Sequence, residues 1–202
     1  MRLTLTTMLS LDGVMQGPGG PGEDRRDGFA LGGWVVPYAN EEVGERITRW
    51  FTRAGGFLLG RHTYEIFAGY WPHVGDETEP VIADRLNRLP KYVASTTLTH
   101  ADWQHSTVLR GEVADAVREL KERPGDELQI HGSGVLARSL MDDGLIDEYR
   151  LLVHPVVLGA GRRLFAEGTV PAALRLTECD ALSSGVVAQT YVPAGRPAFG
   201  SF

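Results

Sequence analysis

Two apolar runs, each stopping on glycine and opening into a helical pattern, constrain this chain more than any other feature. Leu58–Trp71 reads LLGRHTYEIFAGYW, and Leu128–Leu140 reads LQIHGSGVLARSL. A strand followed at once by a helix, repeated along a chain, belongs to a largely parallel sheet with helices on its faces. The spacing predicts strands over Leu3–Leu9, Gly56–Gly60, Lys91–Ser95, Thr107–Arg110, Leu128–His131, Glu148–Val157, Leu174–Leu182 and Val186–Val192. It predicts helices over Glu41–Arg53, Thr63–Tyr70, Thr78–Asn87, Val113–Arg123 and Ser133–Asp142. In the fourth helix Val113, Ala116, Val117 and Leu120 fall at helical spacing, and Pro124-Gly125 stops it. No helix separates the last two strands, and ALSSGVV between them reads as a hairpin turn, so an antiparallel edge is expected.

The strand ends carry the chemistry. A helix N-terminus offers free N–H groups and partial positive charge, which suit an anion such as phosphate. At Gly60-Arg61-His62-Thr63 a glycine permits close approach, Arg61 adds a forked donor and Thr63 a hydroxyl; a tight turn with a solvated Arg and a capping Thr is the plainer alternative. At Gly132-Ser133-Gly134, with Val135 and Leu136 following, the same arrangement recurs. Gly132, Gly134 and Ala137 satisfy G-x-G-x-x-A, but the next strand ends in His154-Pro155 and not in an acid, so the dinucleotide fingerprint of a Rossmann fold is rejected and the anion site is kept. Ser95, Thr96 and Thr97 follow a third strand, fit to cap a turn or to hold a phosphate or ribose. Asp12 follows the first strand, where it makes an Asx-turn or faces the ligand as an acid. Parallel strands share one carboxyl edge, so several such ends together point to a ligand with more than one phosphate, such as a dinucleotide.

Composition bounds the rest. A chain of 202 residues suits one domain, expected over residues 1–192, with PAGRPAFGSF from Pro193 as a tail. The net charge of −6 argues against nucleic acid or an anionic membrane as a partner. Cys179 is the single cysteine, which excludes an internal disulfide and fits a reducing compartment. The start has no signal-peptide pattern and no run is apolar enough to span a membrane, so a cytoplasmic protein is expected.

The motifs LLGRHTYEIF, HGSGVLARSL and GLIDEYRLLVHPVVLGAGRRLF, with SLDGVM near the start, resemble in order those of the dihydrofolate reductase-like superfamily. Within it they resemble the reductase domain of the bacterial riboflavin-biosynthesis deaminase-reductase, over about Arg2 to Val192. The resemblance implies an α/β/α sandwich on a mostly parallel mixed sheet of about eight strands, with NADPH as hydride donor. It implies a homodimer, and the apolar EYRLLVHPVVLGAGRRLF places its contact on the C-terminal strands. It implies that Gly60, Arg61 and Thr63 face the cofactor phosphates and that Ser95 and Thr96 lie near the 2′-phosphate. By the same resemblance Gly132, Ser133, Gly134, Val135 and Leu136 wrap the pyrophosphate and nicotinamide side, Met8 and Met15 lie beside the nicotinamide, and Asp12 is the family's acid. Folate reductases carry a carboxylate on the first helix, and the two alignments of this chain place Ile47 or Ala39 there, so dihydrofolate is expected to be a poor substrate and dihydrofolate reductase activity stands only as an alternative. No His/Cys zinc set of the deaminase half is present, so no metal is expected. Gln16–Trp34 reads as a lid, and Trp34 and Tyr38 as an aromatic wall for a small heterocyclic substrate; Trp71 fits packing better. The expected function is reduction of such a heterocycle, the nearest family chemistry being that of 5-amino-6-(5-phosphoribosylamino)uracil. A non-catalytic NADPH-binding module or redox sensor is the alternative from another class.

Overall fold

Apolar side chains alternate along the strands, and that alternation builds two cores on one sheet. The computed structural model describes residues 1–75 and 79–201. Eight strands form the sheet: β1 (Arg2–Ser10), β2 (Ala54–Gly60), β3 (Lys91–Ala94), β4 (Ser106–Leu109), β5 (Glu127–His131), β6 (Glu148–His154), β7 (Leu174–Ala181) and β8 (Val187–Pro193). Their order is β4-β3-β2-β5-β1-β6-β8-β7. The six from β4 to β6 are parallel, and β8 and β7 add an antiparallel edge. Helices α4 (Val113–Glu122) and α5 (Gly134–Asp142) cover one face, burying Val117, Leu120, Leu136 and Leu140 against Leu3, Leu5, Leu58, Leu128 and Ile130. Helices α1 (Glu41–Phe51), α2 (Arg61–Tyr70) and α3 (Pro80–Arg88) cover the other, burying Phe51, Tyr64 and Leu86 against Phe57, Leu59 and Val93. Each fully buried Leu or Phe of this kind contributes about 1.5–3 kcal/mol. The fold is therefore the expected three-layer α/β arrangement.

Element ends follow local chemistry. Asn40 caps α1 by accepting from the Val43 N–H at 3.0 Å, with Glu41 and Glu42 in the first turn where acids suit the helix dipole. Helix α2 begins at Arg61, two residues before the expected Thr63, because Gly60 is extended (φ −71°, ψ 152°) and serves as its N-cap. Strand β6 stops at His154, short of the expected Val157, because Pro155 has no N–H to give a ladder. Thr78, the expected start of the third helix, lies outside the described residues, and the described helix begins at Pro80. At the C-terminal end, Ala173 and Ala194–Gly195 exchange backbone hydrogen bonds of 2.9 and 2.8 Å, so the segment after β8 begins paired with the chain.

The α1 face of β5, β1 and β6 is polar where it is most buried. Arg150 is 1 % exposed, and its guanidinium donates to Glu127 at 2.7 and 2.8 Å and to Glu148 at 2.7 Å. It lies 5.8 Å from the Trp50 ring centroid. Partnered on both sides, this charge is tolerated in the core. Lys91 is fully buried beneath the end of α3, where its ammonium donates to the Leu86 and Leu89 carbonyls at 2.7 and 2.9 Å and lies 4.5 Å from the Trp103 ring centroid.

Candidate active site

The carboxyl ends of the parallel strands open into one cleft of about 1340 Å³. Two helices start there, and they are tied to each other. The Gly60 N–H donates to Ser133 Oγ at 3.0 Å, the Ser133 N–H donates to Thr63 Oγ1 at 3.1 Å, and Ser133 Oγ donates to the His131 carbonyl at 3.0 Å. Gly132 and Ser133 both take left-handed backbone (φ 56° and 52°), which turns the chain from β5 into α5. A Cβ added at Gly134 would stand 2.7 Å from Met15 Sδ. Among the described residues no side chain caps α2 or α5, so the first-turn N–H groups of both helices remain for a ligand.

Met8, Met15, Gly60, Arg61, Thr63, Ser95, Thr96, Gly132, Ser133, Gly134, Val135 and Leu136 all line this cleft, which brings twelve residues from distant parts of the sequence together. Arg61 is exposed and among the described residues pairs with Glu65 alone, at 3.8 Å, which leaves its guanidinium available. Ser95 Oγ accepts from the Thr97 and Leu98 N–H groups at 3.2 and 2.9 Å, so its oxygen also shapes its own turn. Trp71 lines the cleft too, while packing edge-on against Phe67 and Tyr70.

Three expected residues stand elsewhere. The Asp12 carboxylate accepts from Ser10 Oγ at 2.7 Å, from the Leu158 and Gly159 N–H groups at 3.0 and 2.9 Å, and from Arg163 at 3.2 Å. It is absent from the cleft lining and clamps the loop after β6 onto the turn after β1. The Ser10 hydroxyl, joined by those N–H groups, holds its carboxyl far below the usual carboxylate range. Trp34 is buried, donates from its indole to the Gln16 carbonyl at 2.8 Å and packs edge-on against His154 at 5.3 Å. Tyr38 packs against the same His154 at 6.0 Å. Neither ring forms a wall of the cleft.

Other residues take up the lining that sequence reading missed. The 16–34 segment supplies Gln16, Glu23, Asp24 and Arg26. Arg26 pairs with Asp24 at 2.5 Å, and His62 Nε2 lies 3.4 Å from the same carboxylate. Burial alone would raise the Asp24 pKa, but the bonds and charge of Arg26 outweigh it and bring it to about 2. Gln16 straps the segment down, donating to the Arg26 carbonyl and accepting from the Arg162 N–H, both at 3.0 Å. Arg110, just after β4, donates to the Leu98 and Thr99 carbonyls of the loop between β3 and β4 at 3.3 and 2.8 Å. Ile47 and Phe51 of α1 line the floor with His131, so α1 turns apolar side chains toward the cleft there. The alternation Glu127, Gln129, His131 inside an otherwise apolar strand was the one available signal for the floor.

Residues 2–188 match the family model of the RibD C-terminal domain. The chain belongs to that family. Among curated proteins, YyaP of Bacillus subtilis (strain 168), an uncharacterised protein, is 28 % identical over 191 residues, covering 94 % of each chain. A protein from Shewanella sp. PV-4 named for riboflavin biosynthesis has the same fold, with a TM-score of 0.71 and 22 % identity over 96 % of this chain and 99 % of that one. Dihydrofolate reductase from Enterococcus faecalis aligns with a TM-score of 0.57 and 12 % identity over 96 % of each chain. Both likenesses are of fold, and the second shows that dihydrofolate reductase shares it.

Proposed function

We propose that this RibD C-terminal family member is an NADPH-dependent reductase of a small heterocyclic substrate. The nearest family chemistry is reduction of 5-amino-6-(5-phosphoribosylamino)uracil. The observation that carries the reading is the pair of cross-tied, uncapped helix N-termini at Gly60–Thr63 and Gly132–Gly134, opening onto a cleft with an apolar floor. The first-turn N–H groups of α2 and α5, with Arg61 and Thr63, would hold the pyrophosphate; Ser95, Thr96 and Arg110 would lie at the adenosine end. When bound, NADPH supplies a hydride. Met8, Met15, Ile47 and Phe51 supply dry walls that exclude water from the place where it is delivered. Asp12 acts as a positioning residue, fixing the 155–164 loop and, through Arg162 and Gln16, the segment above the cleft.

The test is calorimetric titration with NADPH, followed by its oxidation against a panel of pyrimidines, pterins and quinones. Binding with oxidation by one member supports the reading, and no binding overturns it. A second reading, an NADPH-binding module without turnover, is favoured by the apolar Ile47 and Phe51 that α1 turns toward the cleft, and binding without oxidation would select it. We also propose that the chain forms a homodimer through its C-terminal strands, where β7 leaves Leu176 exposed at the sheet edge. Among the described residues no helix is long and apolar enough to cross a membrane.

A further inference from the structure

His131 ends β5 on the α1 side of the sheet, where its ring stacks on Phe51 with centroids 4.3 Å apart and planes 20° from parallel. Its Nε2 lies 3.1 Å from Gln129 Oε1. Which atom carries the hydrogen is decided further along the same strand face. Gln129 Nε2 is 2.7 Å from the Trp50 carbonyl oxygen and 2.8 Å from Glu127 Oε2. A carbonyl only accepts. Glu127 also only accepts there, because both its oxygens face the guanidinium of Arg150 at 2.8 and 2.7 Å, and Arg150 has no acceptor. The amide nitrogen of Gln129 must therefore face those two oxygens, its amide oxygen must face the imidazole, and Nε2 of His131 must bear the hydrogen.

The second ring nitrogen follows. Protonating Nδ1 would create a cation on a ring that is 7 % exposed and beside the fixed charge of Arg150. Burial, with Arg150 adding to it, pulls the His131 pKa down to about 3, so the ring is neutral at physiological pH. Nδ1 keeps its lone pair. It has no hydrogen-bond partner among the described residues and is not one of the sealed polar atoms, and the residue lines the cleft. A bare acceptor in an apolar floor favours a ligand that donates a hydrogen bond and rejects one that presents only acceptors, because the unmatched pair would leave two lone pairs opposed and unhydrated.

We propose that His131 Nδ1 is a specificity-determining acceptor for an uncharged ring N–H of a planar heterocycle, and that Gln129 is the positioning residue that fixes its tautomer. This deepens the reductase reading by naming the edge of the substrate that the floor recognises. The tautomer itself does not depend on that reading.

The test uses full-length protein with ¹⁵N-labelled histidine, saturated with NADPH, and two probes: uracil, which has ring N–H donors, and 1,3-dimethyluracil, which has none. Nitrogen shifts should show Nε2 protonated and Nδ1 bare without probe, and saturating uracil should move the Nδ1 resonance while 1,3-dimethyluracil should not. His131→Asn keeps a short-reach acceptor near the place of Nδ1, and His131→Gln keeps the reach toward Gln129 without it. Uracil affinity should stay within about threefold in His131→Asn and fall at least tenfold in His131→Gln, with melting curves confirming both folds. A hydrogen on Nδ1, an unmoved Nδ1 resonance, or equal losses in the two variants would overturn the proposal. Failure of the wild-type protein to bind NADPH would instead strike the reductase reading, since the tautomer is also read in the nucleotide-free protein.

Discussion

Arg150 is a charge that the core tolerates only because Glu127 and Glu148 answer it. Arg150→Met removes the cation and leaves both carboxylates buried without it. We expect a loss of about 3–5 kcal/mol, the usual result of breaking one side of a buried pair, read from chemical denaturation with an unchanged slope. A smaller loss would mean that Arg2 and Arg53, which pair with Glu148 at 3.0 Å and Glu127 at 2.9 Å, carry those carboxylates by themselves. His131 makes its own contribution to acid sensitivity. Its folded pKa is depressed to about 3, against an unfolded value near 6.5, so between those values the unfolded chain binds the extra proton. The stability it gives is complete above about pH 6.5 and is lost as pH falls toward 3, with a slope approaching about 1.4 kcal/mol per pH unit. The difference between wild type and His131→Gln, followed by urea unfolding across that window, should show this slope, and a flat difference would contradict it. Asp12→Asn keeps one acceptor where two backbone N–H groups are served. It should lower the melting temperature by about 3 °C. Turnover per bound NADPH should fall by far less than the 10²–10⁴-fold of a lost acid–base group.

The turn between β5 and α5 shows how much a few backbone angles decide. Gly132 sits at φ 56° with Thr63 Oγ1 3.5 Å from where a Cβ would be. Gly132→Ala should cost about 1–2 kcal/mol for the left-handed angle and displace the N–H groups offered to phosphate. NADPH affinity should fall about tenfold, or 1.4 kcal/mol, with the far side of the cleft unaffected; unchanged affinity would remove this turn from the cofactor site. Strands and helices were readable because period-two and period-3.6 spacing encode burial, and HGSG and LGRHT were readable as helix starts after strands. Asp12 was not, because its partners Leu158, Gly159 and Arg163 return from a loop almost 150 positions away, and nothing local to SLDG announces that return. Trp34 and Tyr38 suggested a wall because aromatic rings often line heterocycle sites, yet both pack on His154, a contact that exists only once β1 and β6 are paired. The polar alternation of ELQIH was visible, but its hydrogen-bond order needs Trp50 and Arg150 from other elements.

For the molecule as a whole, Ser95, Thr96 and Arg110 line the stretch of cleft proposed above for the adenosine end, a hydroxyl and cation set suited to an extra phosphate. NADPH should bind at least tenfold more tightly than NADH, about 1.4 kcal/mol, and equal affinities by calorimetry would contradict the placement. Light scattering should report twice the 22.1 kDa chain mass, and a monomer across a wide concentration range would exclude the proposed dimer. The sheet order also bears on how the molecule is made. Strand β1 lies in the middle of the sheet, with Arg2 beside Glu127 on one side and Thr4 beside Glu148 on the other. At about 5–20 residues per second of synthesis, β1 waits on the order of ten seconds after it is made for either neighbour. Leu3, Leu5 and Leu9 therefore spend that interval as an uncovered apolar segment, which makes the nascent chain a natural client for a holding chaperone.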